Sequence, residues 1–172
     1  MTDALHALRP LLARRGYDAL VVPRADEHLG EYLPDHNERL RWLTGFTGSA
    51  GVAIVLAEGA ALFVDGRYTV QVRRQVDSEA FSLHHLMDEP PIAWLAAQLP
   101  AGARVACDPR LHSLAWFEAA ERQLAAAGVT LVADPANLVD AAWADRPAAE
   151  VMPALLLDTR YSGEDSLARR RR

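Results

Sequence analysis

Apolar residues along the chain fall into short groups of two different periods. Ala4, Leu5, Leu8, Leu11 and Leu12 recur at helical spacing, and Thr2 stands where an N-cap belongs. The chain is therefore expected to open with a helix ending near Arg15, stopped by Gly16. Pro10 lacks an amide hydrogen and is expected to kink this helix near its middle. Ala19 to Val22 is a continuous apolar run, read as a buried strand that ends at Pro23. Residues 26–37 are polar and rich in acid and histidine, and read as loop. Asn37 is placed to cap a short helix from Glu38 to Leu43. After the glycine-bearing segment Gly45 to Gly51, Val52 to Leu56 and Ala61 to Val64 form two apolar runs around a Glu58-Gly59 turn, a β-hairpin.

Asp65 is expected to cap a helix from about Arg67 to Val76, with Tyr68, Val72 and Val76 on its inner side. Phe81 to Leu86 reads as a strand in which His84 and His85 point to opposite faces. Pro90-Pro91 opens a helix carrying Ile92, Leu95 and Leu99. Arg104 to Cys107 and Thr130 to Ala133 are strands around the clearest helix, Ser113 to Ala127, whose inner face is Trp116, Phe117, Ala120 and Leu124. Ala136 to Trp143 is a last short helix. Strands alternating with helices, plus one hairpin, predict an α/β domain: a mixed sheet of five to six strands flanked by helices on both faces. The expected division is a domain over residues 1–147, then a linker and the start of a second unit over residues 148–172.

Composition narrows the partners. Half of the 172 residues are apolar, enough for an ordinary core, and the single Cys107 excludes an intramolecular disulfide. No apolar run is long enough to span a membrane, and Met1-Thr2-Asp3 does not resemble a signal peptide, so a cytoplasmic location is expected. The net charge is −5, and −9 once the terminal run Arg169 to Arg172 is set aside, which argues against a nucleic-acid surface on the fold.

Two segments carry candidate chemistry. Glycines at 45, 48 and 51 allow tight turns or close approach to a ligand. A dinucleotide loop would need a helix after it, whereas a strand follows here, so a glycine-bearing turn that starts an inner strand fits as well. Counted from the Glu58-Gly59 turn, Ala50 falls opposite about Arg67, which brings the glycine segment and Asp65-Gly66-Arg67-Tyr68 to one end of the hairpin. Arg67 lies in the first turn of its helix, where the helix dipole disfavours a cation by about 0.3–1 kcal/mol. A task outside the fold, such as meeting a carboxylate or carbonyl, accounts for that position; so does a surface arginine paired with Asp65 or Glu58. Glu27, His28, Glu31, Asp35 and His36 match no metal motif and read as a solvated acidic loop, and Cys107 reads as an inert core thiol. No nucleophile, base and oxyanion site can be assembled from these residues, so no catalytic residue is assigned.

Several segments together resemble the N-terminal domain of the aminopeptidase P family, within the creatinase/prolidase superfamily. They are Ala25-Asp26-Glu27-His28 with Glu31-Tyr32, then Gly45-Phe46-Thr47-Gly48-Ser49-Ala50-Gly51, then Asp65-Gly66-Arg67-Tyr68. Asn137-Leu138-Val139-Asp140 with Trp143 and Arg146-Pro147 follows, and Tyr161-Ser162-Gly163 resembles the start of a second domain. The resemblance implies a non-catalytic domain of an enzyme that removes an N-terminal residue preceding proline. In such enzymes a separate pita-bread domain holds two divalent metal ions, usually manganese; none of its ligand motifs occurs in this chain, which is therefore expected to be a fragment and to bind no cofactor itself. The resemblance also implies packing against the enzyme's own second and catalytic domains, homodimerisation, and a substrate-binding role for Arg67 and Tyr68, with His28 and Tyr32 beside them. Gly45, Phe46, Gly48, Gly51, Asp65 and Gly66 are the structural residues of that motif set. A free-standing small-molecule-binding module and a purely dimerising domain are the alternatives.

Overall fold

The computed structural model describes residues 2–172. Helix α1 (Asp3–Arg15) is capped by Thr2 and closed by Gly16, whose φ of 65° is the left-handed conformation glycine adopts at low cost. The helix runs uninterrupted through Pro10: Pro10 and His6 are both exposed, so the carbonyl left without a partner faces water. Leu5, Leu8 and Leu12 are its buried stripe, while Ala4 and Leu11 are partly buried at its margins.

The sheet has six strands in the order β4-β3-β2-β1-β5-β6. They are β1 (Ala19–Pro23), β2 (Gly51–Leu56), β3 (Ala60–Val64), β4 (Ser82–His85), β5 (Arg104–Cys107) and β6 (Thr130–Ala133). β2 runs antiparallel to both β1 and β3, and the pairings β1–β5, β3–β4 and β5–β6 are parallel. Five strands therefore point one way and β2 alone points back. Pro23, Val64, His85, Cys107 and Ala133 end those five strands along one edge, and Gly51 begins β2 at the same edge.

Helices α1, α2 (Arg39–Thr44), α3 (Thr69–Gln75) and α6 (Leu138–Ala142) cover one face, over a core that includes Leu20, Val22, Leu62 and Phe81. α4 (Pro91–Gln98) and α5 (Leu114–Ala126) cover the other, over Val21, Ile54, Phe63 and Val105. The alternation along each strand sends neighbouring side chains to opposite layers, which is why central strands read as unbroken apolar runs. Residues 147–161 are exposed throughout, and α7 (Thr159–Ser162) and α8 (Ser166–Arg171) follow.

Several details differ from the sequence expectations. Asn37 does not cap α2. It lies in a short 3₁₀ turn, is buried, and uses its side chain to join Glu27, Arg39 and Arg146, while α2 starts without a side-chain cap after Glu38. The hairpin turns one position earlier than expected, on Ala57-Glu58, and pairs Gly51 with Val64, so Ala50 lies beside Asp65 and not Arg67. Gly59, at φ 89°, is the left-handed residue that follows the turn. The expected helix from Arg67 is a 3₁₀ turn over Gly66–Tyr68 continued by α3, and the last helix is shorter than expected because Asn137 caps it.

Candidate functional site

The loop after β1, the glycine segment before β2 and the turn after β3 meet at the shared sheet edge. In the glycine segment, Gly45 closes α2 at φ 76°, a conformation costly for other residues. Gly48 lies flat on the buried Phe46 ring, where a Cβ would stand 2.1 Å from Cζ. Phe46 in turn meets the Tyr68 ring edge-on, with centroids 5.5 Å apart. The Ser49 hydroxyl and the Tyr68 hydroxyl are 2.6 Å apart, and that contact is the main reason the phenol sits below its ordinary pKa. Thr47 is held by Gln71 and Gln75 of α3. The two segments thus meet at one end of the hairpin as expected, in a register two residues away from the expected one.

Asp65 organises the second segment. Its Oδ1 accepts the Arg67 backbone N–H at 2.9 Å, and the same carboxylate takes the Arg67 Nε at 3.1 and 3.0 Å and Nη2 at 2.5 Å. The Arg67 hydrogen bond holds the Asp65 carboxyl below its usual pKa, and Asp65 raises that of the guanidinium. Arg67 is therefore a paired surface arginine, and it is also presented outward: its side chain is 67% exposed. With Nε and Nη2 engaged by Asp65, Nη1 makes no hydrogen bond among the described residues. The Tyr68 ring lies 5.1 Å from the guanidinium carbon.

The first loop is tied to the same rim by Arg24, a residue the sequence reading passed over. Its Nη1 donates to the Glu31 and Ser49 carbonyl oxygens at 2.9 and 3.3 Å, and its backbone N–H donates to Gly51. Asp26 shapes the loop by accepting the His28 and Gly30 backbone N–H groups; burial opposes its charge, but these bonds outweigh burial and lower its pKa. His28 is exposed, and Tyr32 is 88% exposed. Neither makes a side-chain hydrogen bond to Arg67 or Tyr68 among the described residues. Glu31 contributes to the negative field at Arg67. His85 at the end of β4 lies against Gly66, an unforeseen neighbour of the rim.

The crevice where β1 parts toward β2 on one side and β5 on the other is the usual ligand position in open α/β sheets. Here it is filled. Asp108 beyond β5 takes hydrogen bonds from Arg110 and Asn137, and Asp134 beyond β6 takes them from Arg15 and Tyr17. The cavity left against Pro23, Cys107 and Leu138 measures about 10 Å³, room for one water. Cys107 is buried, and burial pushes its thiol up to about 12. Among the described residues no three His, Cys, Asp or Glu side chains converge to hold a metal ion, and no helix is long and apolar enough to cross a membrane.

A six-stranded sheet with one reversed strand, and a rim made from a glycine turn and an Asp-Gly-Arg-Tyr turn, define the class of the fold as a mixed α/β domain. Residues 5–141 match the family described as the Creatinase/Prolidase N-terminal domain, and the chain belongs to that family. Xaa-Pro aminopeptidase 2 of Homo sapiens is 38% identical over 164 residues, covering 94% of this chain and 24% of that protein. Xaa-Pro aminopeptidase ApepP of Drosophila melanogaster is 37% identical over 171 residues, 94% of this chain and 28% of that protein. Among solved structures, the X-prolyl aminopeptidase of Caenorhabditis elegans, described as a cytosolic enzyme with a di-nuclear active site, superposes with a TM-score of 0.84 at 34% identity, over 95% of this chain and 29% of that one. The N-terminal domain of PepQ from Mycobacterium tuberculosis H37Rv shares the fold, with a TM-score of 0.63 at 21% identity over 83% of this chain and 99% of that one. The chain spans about a quarter of the length of the curated relatives it matches.

Proposed function

We propose that this chain is the non-catalytic N-terminal domain of a cytoplasmic, metal-dependent Xaa-Pro aminopeptidase, and that its sheet-edge rim helps bind the peptide substrate at the mouth of a catalytic domain. Arg67 is the residue assigned to substrate, with Tyr68 supporting its guanidinium and His28 and Tyr32 extending the contact surface along the loop. The two metal ions belong to the catalytic domain, and the domain also takes part in homodimerisation. The observation that carries the reading is the presentation of Arg67: one edge of the guanidinium is fixed by Asp65, and the other is open to solvent at the end of the sheet. Such a group is oriented before a ligand arrives, so little conformational entropy is lost on binding. Identity of 38% to an Xaa-Pro aminopeptidase across nearly the whole chain supports the choice of substrate class.

The test is Arg67→Ala in the full-length protein, assayed on proline-containing peptides of several lengths. A charge-assisted hydrogen bond to substrate is worth about 1.5–3 kcal/mol, so kcat/KM is expected to fall about tenfold to a hundredfold. Unchanged kcat/KM at every length removes Arg67 from the substrate site.

A further inference from the structure

A second feature of the molecule shares none of its lining with the Arg67 rim. Where α2 meets the chain after α6, the indoles of Trp42 and Trp143 stack with centroids 5.7 Å apart and planes 20° from parallel. They wall an open cleft of about 410 Å³, within the range of small-ligand sites. The wall is held rigidly. Arg39, one turn before Trp42, is buried and binds Asp140, one turn before Trp143, through Nε at 2.6 Å and Nη2 at 3.0 Å. Arg146 closes the same carboxylate from the other side at 2.9 Å. The two indoles are thus fixed relative to each other by an ion-pair network that does not enter the cleft.

The charge around the cleft has a definite sign. Asp35, Glu38 and Asp145 line it with one cation, Arg41. Glu38 is engaged by Arg24 at 3.4 Å, but the carboxylates of Asp35 and Asp145 form no hydrogen bond or ion pair among the described residues. An apolar ligand seated there would strip water from two unpaired carboxylates without replacing it, and an anion would meet a net negative wall. A flat cation suits both parts of the lining: aromatic faces attract it through the ring quadrupole, and guanidinium planes stack on them while the fork of N–H groups reaches carboxylates.

We propose that this cleft binds an arginine-type guanidinium, presented by a peptide or by a small molecule, stacked on Trp42 and Trp143 and paired with Asp35 and Asp145. The test is a titration of the 172-residue chain followed by the indole N–H resonances of its four tryptophans. N-acetylarginine amide is expected to shift Trp42 and Trp143 saturably and to leave Trp94 and Trp116 in place; N-acetylnorleucine amide is expected to shift none. Asp145→Asn and the double variant Asp35→Asn/Asp145→Asn are expected to weaken binding stepwise, about threefold to fivefold per carboxylate, with folding checked by the unchanged Trp94 and Trp116 signals. A Gly-Arg-Gly peptide at least tenfold tighter than the amide identifies a peptide as the source, and equal affinity identifies a free small molecule. No saturable shift, an equal shift with the norleucine compound, or full binding by the double variant overturns the proposal.

Discussion

Replacing Arg39 by alanine tests whether the ion-pair network sets the stability of the α2–α6 corner. The Arg39 side chain is 4% exposed, and its guanidinium makes three hydrogen bonds, two to Asp140 and one to the Asn37 Oδ1. Breaking a buried pair by removing one partner costs about 3–5 kcal/mol when the other is left bare. Asp140 is not left bare, because Arg146 stays 2.9 Å away and the carboxylate is partly exposed, so the lower part of that range applies. Loss of the aliphatic stem between α2 and α6 adds to it. The net expectation is a loss of about 2–4 kcal/mol, which for a chain of this size lowers Tm by roughly 5–15 °C. Urea unfolding read by circular dichroism measures it, with m unchanged if only the folded state is affected. Asp140→Asn and the double variant complete a cycle, in which the pair is expected to show coupling of about 1–3 kcal/mol. An Arg39→Ala loss below about 0.5 kcal/mol, in the range of ordinary surface substitutions, would refute the reasoning.

Gly48→Ala is expected to cost about 1–3 kcal/mol, since its Cβ would displace the buried Phe46 ring and with it the Tyr68 edge contact; urea unfolding checks the loss, and a wild-type midpoint contradicts it. His112 stacks on Trp116 with centroids 3.6 Å apart, its buried Nε2 has no hydrogen-bond partner, and burial pushes its pKa down to about 4. The folded state therefore resists a proton that the unfolded chain accepts, and stability falls as pH drops from about 6.5 to about 4, by up to about 1.4 kcal/mol per pH unit. His112→Phe keeps a ring against Trp116 and is expected to remove that part of the slope; identical pH profiles for the two proteins would exclude this role.

Period and punctuation made most of the fold legible. Apolar runs such as Val52 to Leu56 and Ala61 to Val64 become central strands because both sheet faces are covered, and Thr2 and Ser113 cap helices through contacts only three residues away. The errors arose where distant groups compete. Asn37 lies in a 3₁₀ turn before α2 and its side chain meets Arg146, a partner 109 residues along the chain, which no local pattern signals. The hairpin register depended on whether Glu58 sits in the turn's first or second half, and one residue of turn position displaces cross-strand partners by two. At the rim, the Asp65-Gly66-Arg67-Tyr68 segment is marked by its place beyond the hairpin and by the resemblance, and Gly48 by its segment. Arg24 and His85 are not, because each joins the rim through strand ends that only the folded sheet brings side by side.

The most direct measurement is a structure of the full-length protein with a non-hydrolysable proline-containing peptide bound. The account predicts that the Arg67 Nη1, held in place by Asp65, lies within about 3.2 Å of a carbonyl or carboxylate oxygen of the peptide. A bound peptide that leaves that guanidinium facing bulk water, with Asp65 still its one acidic partner, would contradict the account.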